Sequence, residues 1–136
     1  MLTKRTMSSE QIMLANEGVT DSGRRRHPII NASADPAVYF IRTIGAEFLK
    51  IGTVLRADTI QQRMALVQTG CPYELHLEML IPGAGRHDER RLHKVFDKSR
   101  VRAEWFRIEG VIQEVIVLSK VDHAAAIEQL RALIDR

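Results

Sequence analysis

The sequence predicts an α/β (α+β) fold: a small, mainly antiparallel sheet of three strands or slightly more, flanked by helices. Residues 37–42 and 48–54 are rich in β-branched and aromatic residues, and the short connection between them contains Gly45. Two such segments joined in this way predict an antiparallel hairpin. Residues 74–81 alternate apolar and polar side chains and predict a third strand, with Glu74, His76 and Glu78 on an exposed face.

Composition limits the class of protein. The chain has 136 residues, 45% of them hydrophobic and 27% charged, which is typical of one globular domain. No apolar run approaches the roughly 20 residues of a membrane-spanning helix, so no membrane partner is expected. Cys71 is the single cysteine, which excludes an internal disulfide and a cysteine zinc site. We expect a cytoplasmic protein.

The chain divides into three predicted parts. Residues 1–34 form an N-terminal arm, expected to be flexible with one short helix, and a basic run stands at 24–26. Residues 35–120 form the compact domain. Residues 121–136 form a C-terminal helix that packs on the domain, with an apolar stripe that could alternatively serve a dimer contact.

The most informative segment is residues 86–107, which has eight Lys or Arg and only four acids. A helix from about residue 88 to 99 places Glu89 and His93 one turn apart on one face. Its wetter side carries four basic residues, Arg90, Arg91, Lys94 and Lys98. This combination suggests metal-assisted chemistry on a phosphate polyanion, and the alternative is a solvated helix face with an ordinary Glu–His pair.

Two further positions require an explanation. Arg63 falls in the apolar stripe of a helix with Ile60, Met64 and Val67, where a half-buried arginine either meets an anion or extends to the edge of the core. Gly52 interrupts a strand, which often marks a close approach by another part of the chain or by a ligand.

These elements resemble the GIY-YIG endonuclease superfamily, in particular its small phage and bacterial branch with a KIG second motif, the meiotically-up-regulated-gene-like GIY-YIG domain. The matching motifs are Val38-Tyr39-Phe40, Lys50-Ile51-Gly52, Arg63, the segment Glu89-Arg90-Arg91-Leu92-His93, and Glu104-Trp105-Phe106. They occur in the family order and cover roughly residues 37–118. The resemblance implies a nuclease domain over residues 35–120 that hydrolyses phosphodiester bonds in DNA.

The resemblance also implies roles for individual residues. Glu89 would hold a single divalent cation, Mg²⁺ or Mn²⁺, and Tyr39 would activate the attacking water. Arg63 and Lys50 would contact phosphate; desolvation beside Arg63 would lower the pKa of Lys50 and make it a conceivable base. His93 would be a proton carrier or a support for Glu89.

Other residues would bind the substrate or support the fold. Arg90, Arg91, Lys94 and Lys98 would form a track for nucleic acid, and Gly52, Trp105 and Phe106 would be structural, with the two aromatic rings packed in the core. Two other functions remain open from sequence. One is a nucleic-acid-binding module on the same fold without cleavage, and the other is a protein-interaction domain, for which a homodimer is possible.

Overall fold

Within residues 33–136, the fold is an open five-stranded antiparallel sheet with four α-helices, which confirms the predicted fold class. The computed structural model describes residues 33–136, so the predicted arm at 1–34 lies outside the described residues except for its last two. The strands are β1 (Ala37–Thr43), β2 (Phe48–Val54), β3 (Leu75–Pro82), β4 (Arg100–Arg102) and β5 (Trp105–Arg107). The helices are α1 (Ile60–Thr69), α2 (Arg86–Val95), α3 (Gly110–Val121) and α4 (His123–Ile134). The strand order is β3-β1-β2-β5-β4.

The hairpin of β1 and β2 forms as predicted. Gly45 has a φ of +91°, a conformation that glycine adopts at little cost, and this turns the chain between the strands. The register of the hairpin places Tyr39 directly opposite Gly52. This pair becomes important in the site described below.

The sheet has a buried cluster on each face. Helices α2, α3 and α4 cover one face, where Phe40, Leu49 and Ile51 pack with Leu92 and Leu130. The other face carries a second cluster, which includes Tyr39, Ile41, Val54, Leu77 and Ile60. Helix α1 covers this second face only in part, because Ile60 is its single buried residue.

The prediction that β3 would expose Glu78 is wrong. The pairing of β1 with β3 shifts between Phe40 and Ile41, so that Met79 and Leu77 pair and Glu78 does not. This irregularity leaves Glu78 only 6% exposed, with Oε2 at 3.2 Å from the Nε of Arg42. Burial raises the pKa of the Glu78 carboxyl, although the positive charges of Arg42 and Lys120 oppose that effect.

Arg91 joins the C-terminal helix to the domain. Its guanidinium donates to the backbone carbonyls of Ile134, the last residue of α4, and of Arg136. A cation is favourable at that end of a helix, where carbonyl groups lack helical partners. Arg91 was predicted to contact nucleic acid, but its donors are engaged with α4, and it takes no part in the site proposed below.

Among residues 33–136, no helix combines the length and the hydropathy that a membrane span would need.

Candidate active site

The candidate site lies in a notch at the edge of β2. Strand β5 has only three residues and pairs with Phe48–Lys50. The second half of β2, residues 51–54, therefore pairs with β1 on one side and has no strand on the other. Ile51 bridges the gap with its backbone: its N–H donates to the carbonyl of Glu104 at 3.0 Å, and its carbonyl lies 2.8 Å from Nε2 of His93. The loop that carries Glu104 and helix α2, which carries His93, therefore meet at the open edge of β2.

The notch opens into a cavity of about 500 Å³. Five different parts of the chain contribute to its walls: β1, β2, α1, α2 and the β4–β5 hairpin. The lining side chains are Tyr39, Thr53, Arg63, Arg86, Glu89, Arg90, His93, Arg100, Ala103 and Glu104. The structure therefore brings together five residues predicted as functional, namely Tyr39, Arg63, Glu89, Arg90 and His93, although up to 54 positions separate them in sequence.

Glu89 is the buried acid of the cavity, with only 6% of its surface exposed. Its Oε1 accepts a hydrogen bond from the Thr53 hydroxyl, and its Oε2 lies 3.4 Å from Nε2 of His93. Burial raises the pKa of the Glu89 carboxyl, and the neighbouring Glu104 raises it further, against the opposing effects of Thr53 and His93. Thr53 was not predicted from sequence, because a strand threonine gives no signal of its own.

Glu104 is the second carboxylate, and it was not predicted as a site residue. Its side chain forms an ion pair with Lys50 and is in hydrogen-bonding contact with Glu89. Burial alone would raise the pKa of Glu104, but the hydrogen bond and the charge of Lys50 outweigh burial and lower it. The only sequence signal was the place of Glu104 within the Glu-Trp-Phe motif, one residue before β5.

Lys50 lies behind Glu104 rather than on the wall of the cavity. Burial alone would lower the pKa of its ammonium, but the contacts with Glu104 and Tyr39 outweigh burial and raise it. The suggestion that desolvation would make Lys50 a base is therefore wrong, because this amine is held in its charged form. Its Nζ also lies 5.6 Å from the centre of the Tyr39 ring.

Tyr39 reaches the cavity across Gly52. A Cβ atom built on Gly52 would collide with the Tyr39 hydroxyl, would lie 2.5 Å from the phenol Cζ, and would lie 3.1 Å from Oε1 of Glu104. The strand glycine was predicted to mark a close approach, and the approaching group is the side chain of its cross-strand partner. The absence of a side chain at position 52 is what allows Tyr39 to lie in this position.

Substituting Gly52 with alanine is expected to lower the free energy of unfolding by about 1–3 kcal/mol, because the added methyl overpacks a buried contact. Urea denaturation measures the change. Gly70→Ala is the matched control, since no atom lies within 4 Å of a Cβ at that position and its φ is −99°. We expect that control to be neutral or stabilising by up to about 1 kcal/mol. Equal stability of the two variants would contradict the packing described for Tyr39.

His93 is fixed by its contact with the backbone of β2. A carbonyl oxygen can only accept, so Nε2 must carry the proton that it donates to Ile51. The ring also packs against Phe106, with ring centres 5.2 Å apart. This arrangement places the N–H of His93 beside Glu89, and a protonated Nε2 has no lone pair with which to accept a further proton.

Three of the four arginines on the cavity wall have unengaged guanidinium groups. Arg63, Arg86 and Arg90 are exposed, and none forms a hydrogen bond or ion pair within residues 33–136. Arg100, in contrast, is held by Asp97 at 3.0 Å and by the carbonyl of Ala103 at 2.6 Å. The exposed position of Arg63 differs from the predicted half-buried one, since α1 covers the sheet only in part.

The other predicted basic and aromatic positions lie elsewhere. Lys94 and Lys98 are exposed but do not line the cavity. Phe106 is fully buried, as expected of a structural residue, whereas Trp105 is only partly buried. Arg86, which sequence reasoning did not select, faces the cavity from the first turn of α2.

Comparison with protein families gives one match. A sequence model of the T5orf172 domain matches residues 37–131, which is more than half of the chain. The chain belongs to the T5orf172 domain family. This family is phage-associated and has been related to endonucleases of the GIY-YIG and HNH types. Searches of curated proteins and of solved structures gave no match.

The family match supports the predicted resemblance in part: it relates the chain to endonucleases of this kind without showing the GIY-YIG family itself. A T5orf172 domain is consistent with a role related to nucleic acid. Membership of the GIY-YIG superfamily itself, the metal requirement and the roles of individual residues stay predictions.

The acids of this T5orf172 domain fit a divalent cation by their chemistry. Glu89 and Glu104 bring two carboxylates into contact, and each would be stabilised by a shared positive charge. Carboxylate oxygens are the ligands that Mg²⁺ prefers, and Mg²⁺ commonly keeps several waters beside one or two carboxylates. Within residues 33–136 no group of three or more His, Cys, Asp or Glu forms a metal cluster. A pair of carboxylates in contact is a donor set that suits a hydrated magnesium ion.

Proposed function

We propose that this chain is a metal-dependent endonuclease of the GIY-YIG type that hydrolyses phosphodiester bonds in DNA. The observation that carries the proposal is the grouping, around one cavity, of a carboxylate pair, a tyrosine and three unengaged arginines. Phosphodiester hydrolysis needs a cation, a positioned water and positive charge at the phosphate, and these residue types can supply each of them.

Glu89 and Glu104 are the residues that would hold a single Mg²⁺ or Mn²⁺. When bound, such a cation stabilises negative charge on the phosphate and on the leaving oxygen. Thr53 and His93 keep the Glu89 carboxylate in place through the contacts at its two oxygens. Lys50 does the same for Glu104, and its charge limits the repulsion between the two acids.

Tyr39 orients the attacking water and takes part in its activation. The water oxygen forms a bond to phosphorus while the bond from phosphorus to the leaving sugar oxygen breaks. The water loses one proton and the leaving oxygen gains one, so the products are a phosphate monoester end and a hydroxyl end. The charged Lys50 beside Tyr39 stabilises negative charge that develops on the phenolic oxygen.

Arg63, Arg86 and Arg90 bind the phosphates. Guanidinium groups match phosphate oxygens with paired donors, and groups that are not already engaged lose no internal partner when they bind. Arg63 comes from α1, whereas Arg86 and Arg90 lie one turn apart on α2. A strand that passes between these helices meets positive charge on both sides.

Arginine and lysine substitutions test this assignment. Arg63→Gln is expected to reduce the rate of plasmid nicking in Mg²⁺ by about 10²-fold, since one donor group at the reacting phosphate is lost. Arg90→Gln is expected to reduce the slope of log affinity against log salt by about 1. Lys94→Gln is the control, because Lys94 lies one turn along α2 from Arg90 but outside the cavity. Both the nicking rate and the salt slope are measured for all three variants. If Lys94→Gln lost as much of each quantity as the two arginine variants, a phosphate site in this cavity would be contradicted.

A nucleic-acid-binding module without cleavage is the second candidate. The ion pair between Lys50 and Glu104 favours it, because that pair already neutralises one of the two carboxylates. This function is expected to show salt-dependent DNA binding that needs Arg63 and Arg90, with no cutting in any divalent cation.

A further inference from the structure

An apolar groove lies on the same face of the sheet as Tyr39, beside helix α1. Its volume is about 410 Å³, which is the size of a small-ligand pocket rather than of a protein interface. Its main lining residues are Phe48, Leu66, Val67, Tyr73, Val101 and Trp105. Leu66 is 71% exposed and Tyr73 is 41% exposed, so apolar and aromatic surface faces solvent within the described part of the chain.

The groove lies next to the cavity along α1. Arg63 faces the cavity, and Leu66 and Val67, three and four residues later, line the groove. Residues at these spacings lie on one face of a helix, about 4.5 Å and 6 Å apart along its axis. A ligand that places a phosphate at Arg63 therefore has its neighbouring groups over the groove.

The β4–β5 hairpin forms a wall shared by the two spaces. Arg100, Ala103 and Glu104 line the cavity, whereas Val101, Arg102 and Trp105 line the groove. Arg102 adds a positive charge to a groove that is otherwise apolar. A ligand that suits both spaces combines phosphate charge with a flat apolar group, and these are the two parts of a nucleotide.

We propose that the groove binds an unpaired base of the strand whose phosphate lies in the cavity. Aromatic side chains such as Trp105 and Tyr73 stack on any base, with little sequence preference. A duplex keeps its bases stacked inside the helix, so only a single strand, a flap or an unpaired nucleotide can fill the groove. The inference rests on the proposed function and adds a substrate class to it, namely DNA with unpaired nucleotides beside the cleaved phosphate.

Trp105 provides a direct probe, because it is the only tryptophan in the chain. The full-length protein is titrated, without divalent cation, with a single-stranded thymidine oligonucleotide, with an abasic oligonucleotide of equal length, and with a duplex. We expect the single strand to quench Trp105 fluorescence, and the abasic strand and the duplex to bind with much less quenching. Equal quenching by the abasic strand or the duplex would overturn the proposal.

Two groove variants test the same site by affinity. Tyr73→Ala and Leu66→Ser replace exposed side chains, and each is expected to weaken single-strand binding by about 5- to 150-fold while duplex binding changes little. Leu55→Ser is the matched control, since Leu55 is 84% exposed and lines neither space. Unchanged single-strand affinity in both groove variants would overturn the proposal. A dimer that is detected by analytical sedimentation and that dissociates in the Leu66→Ser variant would also overturn the proposal, since a second copy of the chain would then cover the groove.

The absence of divalent cation separates this inference from the proposed function. Base-dependent quenching without cleavage in Mg²⁺, either of plasmid or of an oligonucleotide with a single-stranded flap, would overturn hydrolysis and keep the groove. Nicking in Mg²⁺ without base-dependent quenching would overturn the groove and keep hydrolysis.

Discussion

Replacing Glu89 with glutamine is expected to reduce the rate of plasmid nicking in Mg²⁺ by about 10²- to 10³-fold or more. The amide keeps the size of the side chain and an oxygen that can accept from Thr53, but it loses the charge that would hold the cation. Titration calorimetry with Mn²⁺ should show the same loss as weaker binding, independently of any DNA. Measuring both quantities separates loss of the cation from loss of the substrate.

The stability of this variant provides an internal check. Because burial and Glu104 raise the pKa of Glu89, the ionised carboxylate is held at some cost in the folded protein. A neutral glutamine should therefore leave the free energy of unfolding at neutral pH unchanged or slightly higher. Glu114→Gln on the exposed side of α3 is the control for removing an acid. Nicking by Glu89→Gln at the rate of that control would remove Glu89 from the site.

Replacing Tyr39 with phenylalanine is expected to reduce the single-turnover cleavage rate by about 10²- to 10⁴-fold, which is the range for loss of a group that activates a reactant. The ring stays against Gly52 and only the hydroxyl is lost. Lys50 keeps its ion pair with Glu104, so the arrangement of the acids should persist. Affinity for DNA measured without divalent cation should change little.

The chain contains a second tyrosine that serves as the control. Tyr73 lies outside the cavity, and Tyr73→Phe keeps its aromatic ring. We expect normal cleavage by Tyr73→Phe, measured with the same plasmid in the same buffer. A wild-type rate for Tyr39→Phe would show that the hydroxyl has no part in the reaction.

Local patterns predicted the central elements of the fold. A glycine-containing turn between two β-branched segments was sufficient for the β1–β2 hairpin, and apolar spacing was sufficient for α2. The short strands β4 and β5 were harder to predict, because three residues carry little propensity and β5 owes its pairing to β2. The burial of Glu78 was missed for a similar reason, since a shift in strand pairing leaves no trace in the alternation of side chains.

The candidate site was predicted where a motif exists and missed where tertiary structure decides. Tyr39, Arg63, Glu89 and His93 line one cavity. Glu104 was missed because its partner Lys50 is 54 residues away, and the engagement of Arg91 was missed because its acceptor at Ile134 is 43 residues away. Sequence identified basic residues on α2, but only the packing of α4 separates Arg91, which holds the fold together, from Arg90, which faces the cavity.

The most direct test of the central claim is a nicking assay on supercoiled plasmid with the purified full-length chain, in Mg²⁺, in Mn²⁺ and in excess EDTA. Hydrolysis at the cavity of Glu89, Glu104 and Tyr39 predicts nicked circles in either cation and none in EDTA. Folded protein that binds DNA but cuts neither the plasmid nor an oligonucleotide with a single-stranded flap in either cation would contradict hydrolysis, and nicking that persists in EDTA would contradict the role of the cation.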